Sequence, residues 1–204
     1  GFPAGPHQRF LESGNISGPY AISPLTSVRV ANRDAYEIAL APRDAYRYGH
    51  TVALDQETGL MLCSLVVDLN GQVLERLEYA DIAIGGEIDA AVFADFEGAK
   101  HHRPEYKAIQ KTAQQQLHLR WRPGWLPDGF RLVSAADDSP VISGSGLYTD
   151  GLAAFSVFVE AGAEKAHAMT MRHGASIAHS RARRDPQRHY TVTVVGEVPI
   201  ATAK

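Results

Sequence analysis

The stretch Tyr36–Ala80, YEIALAPRDAYRYGHTVALDQETGLMLCSLVVDLNGQVLERLEYA, decides the fold. Tyr36, Ile38 and Leu40 alternate with polar or small residues until Pro42-Arg43-Asp44 breaks the run. Tyr48, His50, Val52 and Leu54 alternate next, and Asp55-Gln56-Glu57-Thr58-Gly59 turns the chain. Leu65, Val67 and Leu69 follow, then Asn70-Gly71, then Gln72 to Ala80. Alternation between turn-forming clusters is the signature of strands, so the stretch reads as an antiparallel meander of four. Asn70-Gly71 predicts a two-residue type I′ loop, because both residues tolerate the positive φ it requires.

That loop sets which side chains share a face. It places Leu65, Val67 and Leu69 with Leu74, and Leu62, Val66, Val73, Leu77 and Tyr79 on the other side. A sheet with one wet face is polar on that face. Two apolar faces predict a core on one side and, on the other, either a second packed layer or a lipid-sized cavity lined by Leu62, Val66, Val73, Leu77 and Tyr79. A one-residue bulge at the turn exchanges these assignments.

The 204 residues suffice for one large or two modest domains, and 45% hydrophobic with 21% charged content is ordinary for a chain that buries a core. A net charge of −3 offers no overall field toward nucleic acid or an anionic membrane. The single cysteine, Cys63, has no disulfide partner and no metal-ligand spacing, and reads as a small buried hydrophobe. No run reaches the roughly 18 apolar residues of a membrane span. Gly1 to Pro6 carry no basic signal-peptide region, and the chain reads as the inside of a longer protein whose last helix starts near Pro199.

Along the rest of the chain, residues 1–26 read as loop with one helical turn at Phe10-Leu11, and Ser27–Ala31 as an edge strand. Ile88, Ala91, Val92 and Phe96 space a helix within Glu87–Lys100, and the polar stretch 98–116 without period is a connection, with a boundary near residue 115. Beyond it come a short strand Leu117–Trp121, a rigid loop Arg122–Phe130 and strands at Arg131–Val133, Phe155–Val159 and Tyr190–Val195. A hairpin turn lies at Tyr148–Leu152. The fold class is mainly β (α+β), with divisions at 1–84, 85–116 and 117–204, the last a small antiparallel sheet with few helices.

Catalytic chemistry leaves no mark. There is no Gly-x-Ser-x-Gly elbow and no glycine-rich phosphate loop, so neither an enzyme nor a cofactor is predicted. His167, His173 and His179 recur every six residues, a spacing that fits neither helix nor strand, so no metal site is predicted. Arg172, Arg181, Arg183 and Arg184 form the one basic concentration. It is either a solvated loop or a surface for an acidic partner or lipid phosphates, which guanidinium forks bind bidentately. Trp121, Trp125 and Phe130 either cap a small core or make a partner-binding hot spot.

Several short motifs, in order, resemble the RseB/MucB family of periplasmic regulators of envelope-stress sigma factors. They are Pro42-Arg43-Asp44 with Arg47-Tyr48, Leu54-Asp55 with Thr58-Gly59-Leu60, and Asn70-Gly71-Gln72 leading into Leu74-Glu75-Arg76. Later come Trp125-Leu126-Pro127 with Gly129-Phe130, Tyr148 with Asp150-Gly151-Leu152, Phe155-Ser156-Val157, and Val194 to Pro199 with Thr202-Ala203. The resemblance covers residues 28–204. It implies the later part of a lipoprotein-carrier-like (LolA/LolB-like) antiparallel half-barrel with a hydrophobic cavity, then a linker and a smaller partner-binding domain. It further implies a periplasmic protein that binds the periplasmic part of a membrane-spanning anti-sigma factor and shields it from proteolysis. Lipid or lipopolysaccharide signals would release it. The beginning of the half-barrel and the closing helix are expected outside this chain, and the face left bare is an oligomerisation surface, a homodimer included. A lipid or lipoprotein carrier using the same cavity is the competing reading; it needs no second sheet and no aromatic loop.

Overall fold

The structure, a computed structural model, describes residues 16–87, 89, 91, 121–137, 144–161, 168–184 and 189–204. Two antiparallel six-stranded sheets make up these residues. The first holds β1 (Tyr20–Ile22), β2 (Thr26–Val30), β3 (Arg33–Pro42), β4 (Gly49–Asp55), β5 (Met61–Val67) and β6 (Val73–Glu78). The second holds β7 (Arg131–Asp137), β8 (Gly144–Thr149), β9 (Ala154–Ala161), β10 (Met169–His173), β11 (Ser176–Arg184) and β12 (His189–Gly196). Its order is β10-β11-β12-β9-β8-β7, and a short helix α1 (Ile200–Ala203) follows. The expected mainly β fold is thus what forms. The expectations for residues 1–15, the helix within 87–100, the connection 98–116 and the strand start at 117–120 lie outside the described residues, apart from isolated positions.

The meander is β3 to β6, and the edge strand expected at Ser27–Ala31 is β2. β1 is an addition: it pairs with the far half of the same β3 edge, Ile22 opposite Leu40, where β2 pairs Thr26 opposite Glu37. Between them Ser23 donates its N–H to the Ala39 carbonyl, and its Oγ accepts the Ala39 N–H, both at 2.9 Å. Pro24 has no N–H to give, which interrupts the strand there.

The Asn70-Gly71 expectation needs correction. Gly71 alone adopts positive φ (80°), and the Asp68 N–H bonds to the Gln72 carbonyl at 2.9 Å, so the connection is longer than two residues. Asp68 sets it, since its carboxylate accepts the N–H groups of Asn70 and Gln72. The tight two-residue turn is elsewhere. Val30 faces Arg33 across Ala31 and Asn32, at φ 47° and 61°, the type I′ pattern. Arg29 braces it by donating to both the carbonyl and the side-chain oxygen of Asn32.

Two bulges then reassign the faces. Leu54 pairs with Met61 while Ala53 pairs with Cys63, leaving Leu62 extra; Val66 pairs with Glu75 while Val67 pairs with Val73, leaving Leu74 extra. An extra residue shifts the alternation beyond it. Leu62 therefore packs with Ala35 and Ala53, whereas Val66 packs with Tyr48 and Leu74 on the opposite side. Val73 sits opposite Val67, and Leu77 opposite Ser64. The five side chains expected on one face are divided between two.

In the second sheet, β10 and β11 were not foreseen, and the basic run expected as loop is strand from Arg181 to Arg184. Ile177, His179, Arg181 and Arg183 share one face of β11, opposite Gly196, Val194, Val192 and Tyr190 of β12. That face carries the core: Phe155, Val157, Val159, Ile177 and Val194 lie buried beneath Phe130, Val198 and Ala203 of α1. Gly196 is required there, because a Cβ would stand 2.5 Å from both the Ala154 carbonyl oxygen and the Phe155 Cβ.

Turns of the second sheet cover the first. Leu152 is buried against Tyr20 and Leu40, and Ala175 against Tyr48, Val66 and Leu74. The second apolar face of the meander is thus covered, over these residues, by turns of the same chain.

Candidate functional site

The junction between the sheets is built around one arginine. Arg47, in the turn after β3, is fully buried. Its Nε and Nη2 donate to the Asp44 carboxylate, and a second Nη2 bond reaches the Asp128 carbonyl at 2.6 Å. Nη1 donates to Asp150 Oδ2 at 2.5 Å, and the same oxygen accepts the Tyr20 hydroxyl at 3.2 Å. The guanidinium lies 5.0 Å from the Phe130 ring centroid and 5.7 Å from that of Tyr20. Burial opposes its charge, but the bond to Asp44 and the fields of Asp150 and Asp44 outweigh it and hold Arg47 above its ordinary pKa. Burial, with the nearby Asp150 charge, pushes the Tyr20 hydroxyl far up.

Both acceptors are presented by turns. Asp150 Oδ1 caps its own turn, taking the N–H groups of Leu152 (2.9 Å) and Ala153 (2.8 Å), which leaves Oδ2 for Arg47. The Phe130 N–H bonds to the Pro127 carbonyl, and Gly129 has φ 86°, as the third position of a type II turn requires. The Asp128 carbonyl is thereby turned out to Arg47.

Beside this junction the aromatic loop and the second sheet enclose a groove of about 470 Å³. Its floor is Phe155, Val157 and Val159 of β9 with Tyr190, Val192 and Val194 of β12; its rim is residues 121–127, Arg183 and Thr202. The size and the apolar floor with a few polar rim groups suit a site for a ligand or a partner side chain. Trp125, 54% exposed, stands in the rim, its ring set edge-on to Tyr46 with centroids 4.7 Å apart. Thr202, also in the rim, donates its hydroxyl to the Tyr46 carbonyl at 2.6 Å. One residue of the first sheet's turn therefore braces two rim residues of the groove.

The candidate residues separate accordingly. Trp121, Trp125 and Arg183 line the groove. Phe130 is buried in the core under Arg47, tilted against Phe155 at 5.1 Å. Arg181 shares the face of Arg183, while Arg184, one residue on, takes the opposite face. Arg172 lies apart at the end of β10, donating to the Gly174 carbonyl, with Tyr48 and Asp68 of the first sheet in its field. Of the cavity residues, Leu62, Leu77 and Tyr79 line a pocket of about 130 Å³ on the first sheet. Val66 is buried beside Ala175, and Val73 is 48% exposed. Arg47, Asp150, Tyr46 and Tyr190 were missed as contributors; no local pattern in the sequence pairs turns about 100 residues apart.

Two sheets locked through a buried charge cluster, with an aromatic-rimmed groove beside the lock, are a frame suited to binding. The family model described as the MucB/RseB N-terminal domain matches residues 2–96, and that of the MucB/RseB C-terminal domain matches residues 115–204. The chain belongs to the MucB/RseB family. It is 34% identical over 212 residues to the sigma factor AlgU regulatory protein MucB of Pseudomonas aeruginosa, covering 96% of this chain and 62% of that one. It is 30% identical over 192 residues to the sigma-E factor regulatory protein RseB of Haemophilus influenzae, covering 93% and 58%. The solved complex of Pseudomonas aeruginosa MucA and MucB superposes with a TM-score of 0.75 at 29% identity, covering 93% of this chain and 63% of that one. The chain spans about three fifths of the length of the curated relatives it matches. These relatives are regulatory proteins.

Proposed function

We propose that this chain is the binding part of a periplasmic negative regulator of an extracytoplasmic sigma factor. It captures the periplasmic segment of a membrane-spanning anti-sigma factor and shields it from proteolysis, without chemistry of its own, until a lipid or lipopolysaccharide signal releases it. In this reading residues 1–84 are the carrier-like β unit, 85–116 the connection and 117–204 the partner-binding unit. The groove rimmed by Trp121, Trp125 and Arg183 carries the proposal: it joins an exposed tryptophan to an apolar floor, the make-up of a partner hot spot. The relatives' regulatory names and the solved MucA/MucB complex support it. Of the side chains expected to line a carrier's cavity, Val66 is covered by Ala175, and Leu62, Leu77 and Tyr79 line a pocket of only about 130 Å³, too small for a lipid chain, which favours the regulator.

The test is a fluorescence-anisotropy titration of a labelled MucA-type periplasmic domain with the full chain. Trp125→Ala is expected to weaken binding about 30-fold, the effect of losing a hot spot worth about 2 kcal/mol. Leu69→Ala, at an exposed position on the first sheet's hairpin loop, should leave it unchanged. The reverse pattern would move the partner site to the first sheet and end the proposal.

A further inference from the structure

The charged groups around the groove are as one-sided as its floor. Arg122 and Arg183 line it, and no aspartate or glutamate does, among the described residues. Arg181 continues the same face of β11, opposite Val192 as Arg183 is opposite Tyr190. Both arginines are exposed, and neither forms an ion pair among the described residues. Positive potential gathers on this face. The buried His179, one alternate position further along, is held below its ordinary pKa first by burial and then by Arg181, Lys204 and Arg183. Next-but-one residues of a strand stand about 6.7 Å apart, and an extended peptide presents its own alternate side chains at the same spacing. Guanidinium groups take carboxylates in paired hydrogen bonds, which a lysine cannot match.

We infer that the groove reads an extended acidic segment of its protein partner: an apolar side chain seated on the floor beside Trp125, and carboxylates at alternate positions paired with Arg183 and Arg181. This rests on the groove being the partner site. It adds what the partner must carry there. The floor supplies the burial, the arginines fix register and direction, and a lining that carries arginines but, among the described residues, no carboxylate leaves basic segments unpaired, which rejects them. Arg184, on the far face, and Arg172, at the other end of the sheet, have no part in it.

The experiment is the same anisotropy titration, run from 50 to 300 mM NaCl on the full chain with Arg181→Glu, Arg183→Glu and the double variant. Arg29→Glu on the first sheet is the control. Arg183→Glu is expected to lower affinity on the order of tenfold and Arg181→Glu several-fold, with a shallower salt dependence in each, because paired rim charges act through the screened field. Replacing the partner's matching Asp or Glu by Lys should restore binding to Arg183→Glu and weaken binding to the unaltered chain. Thermal melts confirm folding, and Arg→Gln versions serve if the Glu variants melt early. If the double variant binds within twofold of the unaltered chain while Trp125→Ala does not, the groove stands and the acidic reading fails. If Trp125→Ala also binds normally, the partner site itself is misplaced. Arginine-dependent capture by phosphatidylglycerol vesicles, with partner affinity unmoved, would reassign the arginines to anionic lipid and overturn the inference.

Discussion

Cutting the Arg47–Asp150 pair should do more than lower stability; it should break the cooperativity between the sheets. Asp150→Ala removes an acceptor whose side chain is fully buried. The loss includes the 2.5 Å bond from Arg47, the Tyr20 hydroxyl bond and two backbone caps within its own turn. Removing one partner of a buried ion pair typically costs about 3–5 kcal/mol, because the other charge is left without compensation. Here Arg47 keeps Asp44 and the Asp128 carbonyl, which argues for the lower half of that range, while the two lost caps, at about 1 kcal/mol each, raise it again. Asp150→Ala is therefore expected to destabilise by about 4 kcal/mol. Arg47→Met should cost a similar amount, and the Arg47→Met/Asp150→Asn double variant clearly less than the sum of its singles, since no fully buried charge is left unpaired and the part-exposed Asp44 can turn to water. The assay is urea unfolding followed by tryptophan fluorescence and by far-ultraviolet circular dichroism. Both tryptophans lie in residues 121–125, beside the second sheet. The two signals should coincide in the unaltered chain and separate in Asp150→Ala, where each sheet melts on its own. Coincident transitions in the variant, or strictly additive singles, would show that the buried pair does not bind the sheets together.

Two further outcomes follow from the second sheet. Because the folded chain holds His179 below the usual 6.5, the unfolded chain takes up that proton first as pH falls. Stability from this group is therefore fully present at neutral pH, declines as pH drops through about 6.5 and levels off below the folded-state pKa. Melting temperatures between pH 5 and 8 should show the decline, and His179→Gln should flatten it; an identical slope in the variant would point to other groups. Gly196→Ala drives a Cβ into the Ala154 carbonyl and Phe155 at 2.5 Å, so a loss of roughly 1–3 kcal/mol is expected from denaturant midpoints, with both signals shifting together because the buried pair is intact.

What the sequence made legible was periodic and local. The meander stood out because apolar residues alternate between Pro, Asp and Gly clusters, and those strands form within a few residues of where the pattern puts them. Face assignment failed for a reason the pattern cannot hold: Leu62 and Leu74 are each one residue too many, and a bulge leaves no mark in composition. Ala31-Asn32 went unseen as a tight turn because alanine rarely takes positive φ; Arg29, bonded to Asn32, supports it from outside. Strand β11 was hidden by its own arginines, since Arg181 and Arg183 stand where a core residue is expected yet lie past the buried part of the face. Of the site, Trp121, Trp125 and Arg183 were visible by residue type. The residues that hold them, Tyr46 and Arg47 of a turn about 80 positions earlier, were not, because a long-range contact has no sequence spacing to betray it.

The placement of those two residues ties the groove to the junction. Tyr46 takes the hydroxyl of Thr202 and the ring of Trp125, both in the rim, while the adjacent Arg47 holds the Asp128 carbonyl and lies over the Phe130 ring. The rim is thus held by the first sheet, although the floor belongs wholly to the second. A partner seated against Trp125 and the floor therefore binds a surface whose shape depends on the junction being closed. Linkage makes the dependence mutual: whatever factor of affinity is lost when the junction opens is the factor by which a bound partner holds it closed. A signal that loosened the first sheet's grip on Tyr46 and Arg47 would release the partner without touching the groove. A signal that bound the first sheet elsewhere, leaving that turn in place, would not. The turn after β3 is the contact that ties the first sheet to the groove's rim, whereas Ala175, whose N–H bonds to Glu75, joins the sheets away from it.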